Sequence, residues 1–255
     1  MFSRFHSHDP ETGPTAEPVA TVFPTIEGAV IAADFLGERV AGDFYDSVRV
    51  SPERVLLGLF DVAGRRGDNC GILEAAQEIF RTLGTELFSH PDLNESEAMT
   101  ELCLHINRGL IETSHGVHPC PAFIGCYHEK FGTLCYTNAG HTPGLLRDRR
   151  GIVQLGSTGL PLGLFSHATC EAPTVGLEKD AALLLVSRGV IESEGHRGQS
   201  TEAFGLERVQ QLFQAAPASD SAAALCAFIL RSIGEFGAGA PPSDDRTALA
   251  LVRTA

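Results

Sequence analysis

The feature of this sequence that most constrains its fold is how the spacing of apolar residues changes along the chain. Two short apolar runs, 29–33 and 55–60, have the length and composition of buried strands. Over residues 69–88 and 96–111 the apolar residues instead recur every three or four positions, as they do on helices. Short segments follow up to residue 155, broken by glycine, proline and charge, and these are typical of antiparallel strands and hairpins.

The last hundred residues contain a second mixture of strand and helix patterns. The apolar run 183–186 predicts another buried strand, helical spacing returns at 206–213 and 222–233, and 247–252 predicts a final strand. Strands and helix pairs in this order predict an α+β fold, because a doubly wound parallel sheet needs strict alternation of strand and helix.

Composition and charge exclude several classes of protein. The net charge is −13, from 19 basic and 32 acidic residues, which argues against a nucleic-acid or anionic-membrane partner. There is no apolar run of transmembrane length and no signal-peptide pattern, so we expect a cytoplasmic protein. No linker divides the chain; we expect a flexible N-terminal arm over residues 1–18 and a single domain over 19–255.

The seven cysteines form no CxxC pair, which favours buried, reduced thiols.

Acidic residues lie where apolar strands are predicted to end. Asp43 follows the first apolar run and Gly42, Asp61 closes the run 55–60, and Asp244 and Asp245 precede the final strand. Carboxylates at the ends of buried strands suit hard cations such as Mg²⁺ or Mn²⁺, which prefer oxygen ligands. We therefore expect Asp43, Asp61 and Asp244 to converge in one cluster.

Each acidic segment also has a simpler structural interpretation. Asp43 fits a turn or a helix cap, Asp61 fits an ordinary strand-to-helix turn, and Asp244 fits a capped loop. The sequence around His141 is better explained by hairpin geometry than by catalysis, and Ser157 and His141 do not form a supported nucleophile–base pair.

Taken together and in order, these segments resemble the metal-dependent protein phosphatases (PPM, protein phosphatase 2C-like), in the branch of the bacterial sporulation phosphatase SpoIIE. The resemblance covers residues 19–252. It rests on five landmarks: Ala41-Gly42-Asp43-Phe44-Tyr45-Asp46, Phe60-Asp61-Val62-Ala63-Gly64, Tyr136-Thr137-Asn138-Ala139-Gly140-His141, Gly159-Leu160-Pro161-Leu162-Gly163 and Ser243-Asp244-Asp245-Arg246-Thr247.

The resemblance implies a fold and a set of site residues. The fold would be two packed antiparallel sheets flanked by helices, with a dinuclear Mn²⁺ or Mg²⁺ centre at one edge. Asp43 would serve one metal, Asp61 would bridge both, and the Val62 carbonyl would add an oxygen ligand. Asp244 would hold the other metal, with Asp245 beside it. The implied catalytic residues are Asp43, Asp61 and Asp244, and the reaction is metal-assisted hydrolysis by a bridging water.

The chain departs from the family pattern at Arg188. Where the family has Ser-Asp-Gly after the penultimate strand, this chain has Ser187-Arg188-Gly189, so a cation replaces a metal-ligand carboxylate. The glycine loop 64–67 also carries one extra residue. We expect Arg188 to weaken or abolish one metal site, either by repelling the ion or by pairing with Asp61 or Asp244.

Three interpretations of function remain open at this point. The first is a Mn²⁺- or Mg²⁺-dependent phosphatase acting on phosphoserine or phosphothreonine of a regulatory protein of the anti-anti-sigma type. The second is a pseudophosphatase, favoured by Arg188, that binds a phosphoprotein without hydrolysing it. The third is a structural domain with a decayed site.

Overall fold

The computed structural model describes residues 19–36, 42–114, 118–167, 169–197, 200–217, 221–237 and 244–255. The predicted N-terminal arm lies outside these residues, except that Val19 begins them. Two five-stranded antiparallel sheets dominate the described residues. Sheet one has the order β1-β12-β9-β6-β7, built from Ala29–Phe35, Thr247–Arg253, Ala182–Val186, Gly144–Asp148 and Gly151–Leu155. Sheet two has the order β2-β3-β4-β5-β8, built from Gly42–Ser51, Arg54–Val62, Ala122–His128, Thr133–Ala139 and Thr174–Gly176.

Helices cover the outer face of each sheet. On sheet two, α1 (Arg66–Phe88) and α2 (Glu95–Thr113) pack together and against β2 and β5. On sheet one, α5 (Ala222–Phe236) packs against β1 and β12, and α4 (Leu206–Ala215) contacts β6 and β7. The predicted α+β fold, with two packed antiparallel sheets flanked by helices, is therefore confirmed.

The four-layer arrangement explains why the central strands are apolar over most of their length. In β3, Leu57 and Leu59 point into the core between the sheets, where they join Leu183 and Leu251 of sheet one. The alternate residue Phe60 joins the core beneath α1 and α2. A strand covered on both faces has no solvent-facing positions, so its sequence does not alternate between apolar and polar residues.

Smaller elements complete the chain. A hairpin of β10 (Glu194–Arg197) and β11 (Ser200–Ala203) and a single helical turn, α3 (Arg188–Ile191), follow β9. The loop after β5 passes from sheet two to β6 in sheet one, so His141 lies on a crossing connection and the hairpin expected there is wrong. Among the residues the structure describes, no helix is both long and apolar enough to cross a membrane.

Candidate metal and phosphate site

Two adjacent strands of sheet two bring Asp43 and Asp61 together. Asp43 is the second residue of β2, near the start of a strand and not behind one as the sequence suggested, and it lies opposite Asp61 near the end of β3. The next pair is Gly42 opposite Val62, where a Cβ on Gly42 would be 2.0 Å from the Val62 carbonyl oxygen. Glycine is therefore required at position 42 for the two strands to pair this closely.

The segment before β12 joins this pair to sheet one. The Asp43 backbone N–H donates a hydrogen bond to Asp245 Oδ2 at 3.2 Å, and the Thr247 hydroxyl donates to Asp43 Oδ2 at 2.7 Å. The Ser187 hydroxyl donates to the Asp245 carbonyl at 3.0 Å and accepts from the Thr247 backbone N–H at 3.0 Å. These bonds fix the ends of the two sheets against each other across the cluster.

Arg188 lies between the remaining carboxylates. Its Nη2 is 3.1 Å from Asp244 Oδ2, and its Nε is 3.6 Å from Asp61 Oδ2. The Arg188 side chain is 50% exposed, whereas that of Asp61 is only 5% exposed. The following Gly189 packs so closely that a Cβ there would be 2.2 Å from the Asp245 carbonyl oxygen, which holds α3 against the Asp244–Asp245 loop. Of the two alternatives left open by the sequence, the structure has Arg188 paired with both Asp61 and Asp244.

Burial and mutual repulsion disfavour the charged forms of the inner carboxylates. The pKa of Asp43 is raised well above its ordinary value, first by burial and then by the neighbouring Asp61. Burial also raises the pKa of Asp61 to about 6; Arg188 opposes this rise, while Asp244, Asp245 and Glu192 add to it. A divalent cation among these oxygens would relieve both the desolvation and the repulsion.

The fit to a metal differs between the two halves of the cluster. Among the residues the structure describes, no group of three or more His, Cys, Asp or Glu side chains is arranged to hold a metal ion. On one side, Asp43, Asp61 and the Val62 carbonyl are oxygen donors of the kind that Mg²⁺ and Mn²⁺ prefer. On the other side the guanidinium of Arg188 already pairs with both Asp61 and Asp244. The donor set therefore fits one hard cation beside Asp43 better than a pair of cations.

His141 and Ser157 do not join the cluster. His141 is buried, and its Nδ1 lies 3.1 Å from both the carbonyl oxygen and the hydroxyl of Thr142. Burial lowers the pKa of His141 to about 4, so the imidazole is neutral at physiological pH. The Ser157 hydroxyl donates to the backbone carbonyls of Asn138 and Gly159. Neither side chain has the geometry of a nucleophile or its base.

Two hydroxyls that organise the site are not among the residues predicted from the sequence. Thr247 and Ser187 are both fully buried, and each contacts the carboxylate segment directly. Thr247 closes the landmark Ser243-Asp244-Asp245-Arg246-Thr247, and Ser187 opens the segment Ser187-Arg188-Gly189. A hydroxyl residue next to an expected metal ligand at the end of an apolar strand is the signal that would have pointed to them.

Comparison with known proteins gives consistent results. Residues 51–254 match the family model described as Stage II sporulation protein E (SpoIIE). The chain is 25% identical to the phosphoserine phosphatase RsbP of Bacillus subtilis (strain 168) over 155 residues, which are 60% of this chain and 37% of RsbP. This chain thus matches little more than a third of the length of that relative.

Solved structures share the fold. The RsbU and RsbW domains of Rv1364c from Mycobacterium tuberculosis superpose with a TM-score of 0.71 at 23% identity, covering 94% of this chain and 63% of that chain. The catalytic domain of the serine threonine protein phosphatase PstP, solved in complex with two manganese ions, superposes with a TM-score of 0.58 at 15% identity. That match covers 89% of this chain and 99% of the PstP chain.

Proposed function

The chain belongs to the SpoIIE family of PPM-type protein serine/threonine phosphatase domains, and we propose that it hydrolyses phosphoserine or phosphothreonine on a regulatory protein, using Mn²⁺ or Mg²⁺. The observation that carries this proposal is the meeting of Asp43, Asp61, Asp244 and Asp245 at one edge of the two sheets. Four carboxylates from distant parts of the sequence are costly to bring together, and Arg188 supplies only one positive charge to offset them.

Under this proposal the side chains and carbonyls of the cluster have distinct roles. Asp43, Asp61 and the Val62 carbonyl would hold one cation, and Asp244, with Asp245 beside it, would face the second position. A bound metal supplies an acidified water for in-line attack and offsets the charge that develops on the phosphoryl oxygens. The hydroxyl of Thr247 orients Asp43 through its 2.7 Å hydrogen bond.

Arg188 would take over part of the role of the second cation. It places one positive charge between Asp61 and Asp244, and its half-exposed guanidinium faces the solvent side of the cluster. A guanidinium is a good partner for phosphate oxygens, but it does not acidify a water molecule. We therefore expect a single tight metal site, with Arg188 weakening the other.

A second candidate function rests on the same two ion pairs. Because Arg188 satisfies Asp61 and Asp244 without a metal, the cluster is partly neutralised in the metal-free protein. A pseudophosphatase that binds a phosphoprotein and does not hydrolyse it would need no more than this.

The substrate or partner in either case is proposed to be a phosphorylated regulatory protein of the anti-anti-sigma type. The support is the relative named phosphoserine phosphatase RsbP and the RsbU and RsbW domains of the structural neighbour. We propose a cytoplasmic location on the same basis. The acidic net charge of −13 is consistent with a protein partner rather than a nucleic acid.

One preparation can separate these functions. Mn²⁺ is titrated calorimetrically, and hydrolysis of a phosphoserine protein and of p-nitrophenyl phosphate is measured in parallel. One tight Mn²⁺ site with Mn²⁺-dependent hydrolysis supports the phosphatase. Phosphoprotein binding without turnover supports the pseudophosphatase, and the absence of Mn²⁺ binding, phosphoprotein binding and turnover contradicts both.

Two variants complete that experiment. Asp61→Asn removes a carboxylate from the cluster and is expected to abolish Mn²⁺ binding. Asp148→Asn is the matched control, because Asp148 pairs with Arg150 at 2.9 Å at the opposite end of sheet one. If both variants lose Mn²⁺ binding equally, the cluster is not the metal site.

A further inference from the structure

A cavity lies on the outer face of sheet one, between the sheet and the helices α4 and α5. Its volume is about 300 Å³, at the lower end of the range of roughly 300–1,000 Å³ that is usual for small-molecule sites. Arg147 of β6 and Val252 of β12 line it from the sheet. Both pair with Ala182 of β9, and residues paired across antiparallel strands share a face. Arg147 and Val252 therefore face the helices from the same side of the sheet.

The two helices supply the walls of this cavity. One wall is the end of α4, where Pro217 disfavours a helical conformation at the residue before it, and Ala216 has the non-helical angles φ −58° and ψ 133°. The other wall is a stripe of α5, on which Ala224, Phe228 and Arg231 follow each other at four- and three-residue spacing. The α5 wall is therefore apolar up to Arg231.

The positive charge of Arg147 is held in place by neutral groups. Its Nη1 donates to the backbone carbonyls of Phe213 and Ala216 at the end of α4, and the bond to Ala216 is 3.0 Å long. Its guanidinium carbon lies 4.6 Å from the centre of the Phe213 ring. Burial lowers the pKa of Arg147, and within the described residues no carboxylate pairs with it and no group bonds to its Nε or Nη2. A charge that is partly withdrawn from water is usually paired with an opposite charge, and Arg147 has none of this kind.

Arg231 is the second cation at the cavity. It is exposed, and in the part of the chain that the structure describes no ion pair joins it to a carboxylate. The described residues that line the cavity include these two arginines and no acid, although the whole chain has a net charge of −13. The positive charge is therefore local, and it favours an anion at this cavity.

We propose that this cavity binds a small carboxylate with an apolar tail. The carboxylate pairs with the Nε and Nη2 edge of Arg147, because a guanidinium offers two parallel N–H donors to a carboxylate. Arg231 adds a second positive charge, and the tail lies against Leu225, Phe228 and Val252. The volume admits one short chain or ring and excludes a polypeptide helix, whose diameter is about 10 Å, so the occupant is a free small molecule.

The cavity is separate from the carboxylate cluster. Ala182 and Val252 lie at one end of β9 and β12, whereas Ser187 and Thr247, which contact the cluster, lie at the other end. The length of strand between these positions is roughly 17 Å, at about 3.4 Å per residue. The proposal therefore does not depend on the phosphatase activity.

The test titrates the full chain with octanoate and with hydrocinnamate, using calorimetry and thermal unfolding. Wild-type protein is expected to bind both acids saturably at one site and to unfold at a higher temperature in their presence, because they bind only the folded state. Octanamide, which has the same tail without the charge, should bind roughly tenfold more weakly or less. Arg147→Gln should weaken octanoate binding to a similar extent, and Arg231→Gln by about threefold.

Matched variants separate the cavity from the rest of the surface. Ala224→Phe places a ring in the cavity and should abolish binding, whereas Ala223→Phe places the same ring on the exposed residue before it and should bind as wild type. Arg108→Gln, an exposed arginine of α2, is the control for Arg231→Gln. Circular dichroism checks each variant, and the alanine pair carries the comparison if Arg147→Gln does not fold.

Three results would overturn the proposal. The first is the absence of saturable binding by both acids. The second is equal binding of octanoate and octanamide, which would show that the arginines do not recognise the carboxylate. The third is equal binding of octanoate by Ala224→Phe and Ala223→Phe, which would place the site elsewhere. Arg188→Gln should bind octanoate as wild type does, and a loss of binding in this variant would assign the anion to the carboxylate cluster instead.

Discussion

Asp43 and Asp61 lie on adjacent strands of sheet two, whereas Arg188 and Asp244 lie on a single helical turn and a loop at the end of sheet one. The first pair is almost completely buried, and its spacing is set by the strand register. The second pair is held by one ion pair at 3.1 Å between partly exposed side chains. A change of charge is far less costly in the second half, because solvent screens it and the loop can adjust.

The difference indicates where a site of this kind can change without loss of the fold. Arg188, which we expect to stand in place of a metal-ligand acid, lies in the exposed pair, while the buried pair keeps two carboxylates and the hydroxyl of Thr247 that positions Asp43. Under the proposed function, the cluster would have a rigid half, Asp43 and Asp61, that selects a hard cation, and an adjustable half, Arg188 and Asp244, that sets how many cations bind.

The largest expected effect comes from removing the shared carboxylate of the rigid half. Asp61→Asn should abolish Mn²⁺ binding and turnover, because it removes the acid that contacts both halves. The same change should stabilise the metal-free protein at pH 8 by roughly 2 kcal/mol, since the raised pKa of Asp61 shows that its charge opposes folding there. Calorimetry and urea unfolding measure the two effects. Normal Mn²⁺ binding by this variant would show that Asp61 is not part of the metal site.

The next largest effect is expected from Arg188→Asp, in the adjustable half. The change restores a carboxylate and removes a cation, so the second Mn²⁺ should bind more tightly by roughly a thousandfold or more, as about 4 kcal/mol per charge pair implies. Metal-free stability should fall as unpaired carboxylates repel, and added Mn²⁺ should restore it. Arg188→Gln is the control, because it removes the charge without adding a ligand. An unchanged Mn²⁺ stoichiometry in Arg188→Asp would contradict the role given to Arg188.

A third effect concerns the crossing connection between the sheets. His141 has its pKa lowered to about 4 by burial, so the folded state binds its proton less readily than the unfolded state. The neutral His141 therefore contributes fully to the free energy of unfolding above pH 6.5. As the pH falls towards 4, this contribution is lost, and the free energy of unfolding falls by roughly 3 kcal/mol.

The carboxylate cluster opposes this trend, because the raised pKa of Asp61 adds stability as the pH falls below about 6. The effect of His141 is therefore measured as the difference between the urea-unfolding profiles of wild type and His141→Gln from pH 7.5 to 4. Parallel profiles would show that the imidazole is protonated in the folded protein or that it is not buried in solution.

The sequence predicted the layers of the fold better than it predicted the site. The apolar run 55–60 and the helical spacing over residues 69–111 identified β3, α1 and α2, because burial on fixed faces leaves a periodic pattern. Strand β2 was missed because it contains buried polar residues. One of them, Asp46, is fully buried and is satisfied by its partners, among them Arg81 of the neighbouring helix with hydrogen bonds of 2.6 and 3.0 Å.

For the site, residue type identified the carboxylates but not the residues that bind and position them. Asp43 and Asp61 stand out because a buried carboxylate is rare without a partner. Nothing in the spacing of the sequence shows that Thr247 reaches Asp43 across 204 positions, or that Arg188 spans Asp61 and Asp244. Those contacts arise from the packing of one sheet on the other, which periodicity does not specify.

The smallest expected effects are the losses of stability when one polar group is removed from each half. Thr247→Val keeps the shape of a fully buried side chain but removes the hydroxyl that donates to Asp43 at 2.7 Å, so it should cost roughly 1–2 kcal/mol of stability. Asp244→Asn removes the charge partner of a half-exposed arginine and should cost about 0.5 kcal/mol or less. Urea unfolding of the metal-free variants at pH 7.5 measures both. If Asp244→Asn costs as much as Thr247→Val, the exposed half is as rigid as the buried half, and the tolerance of this site for an arginine needs another explanation.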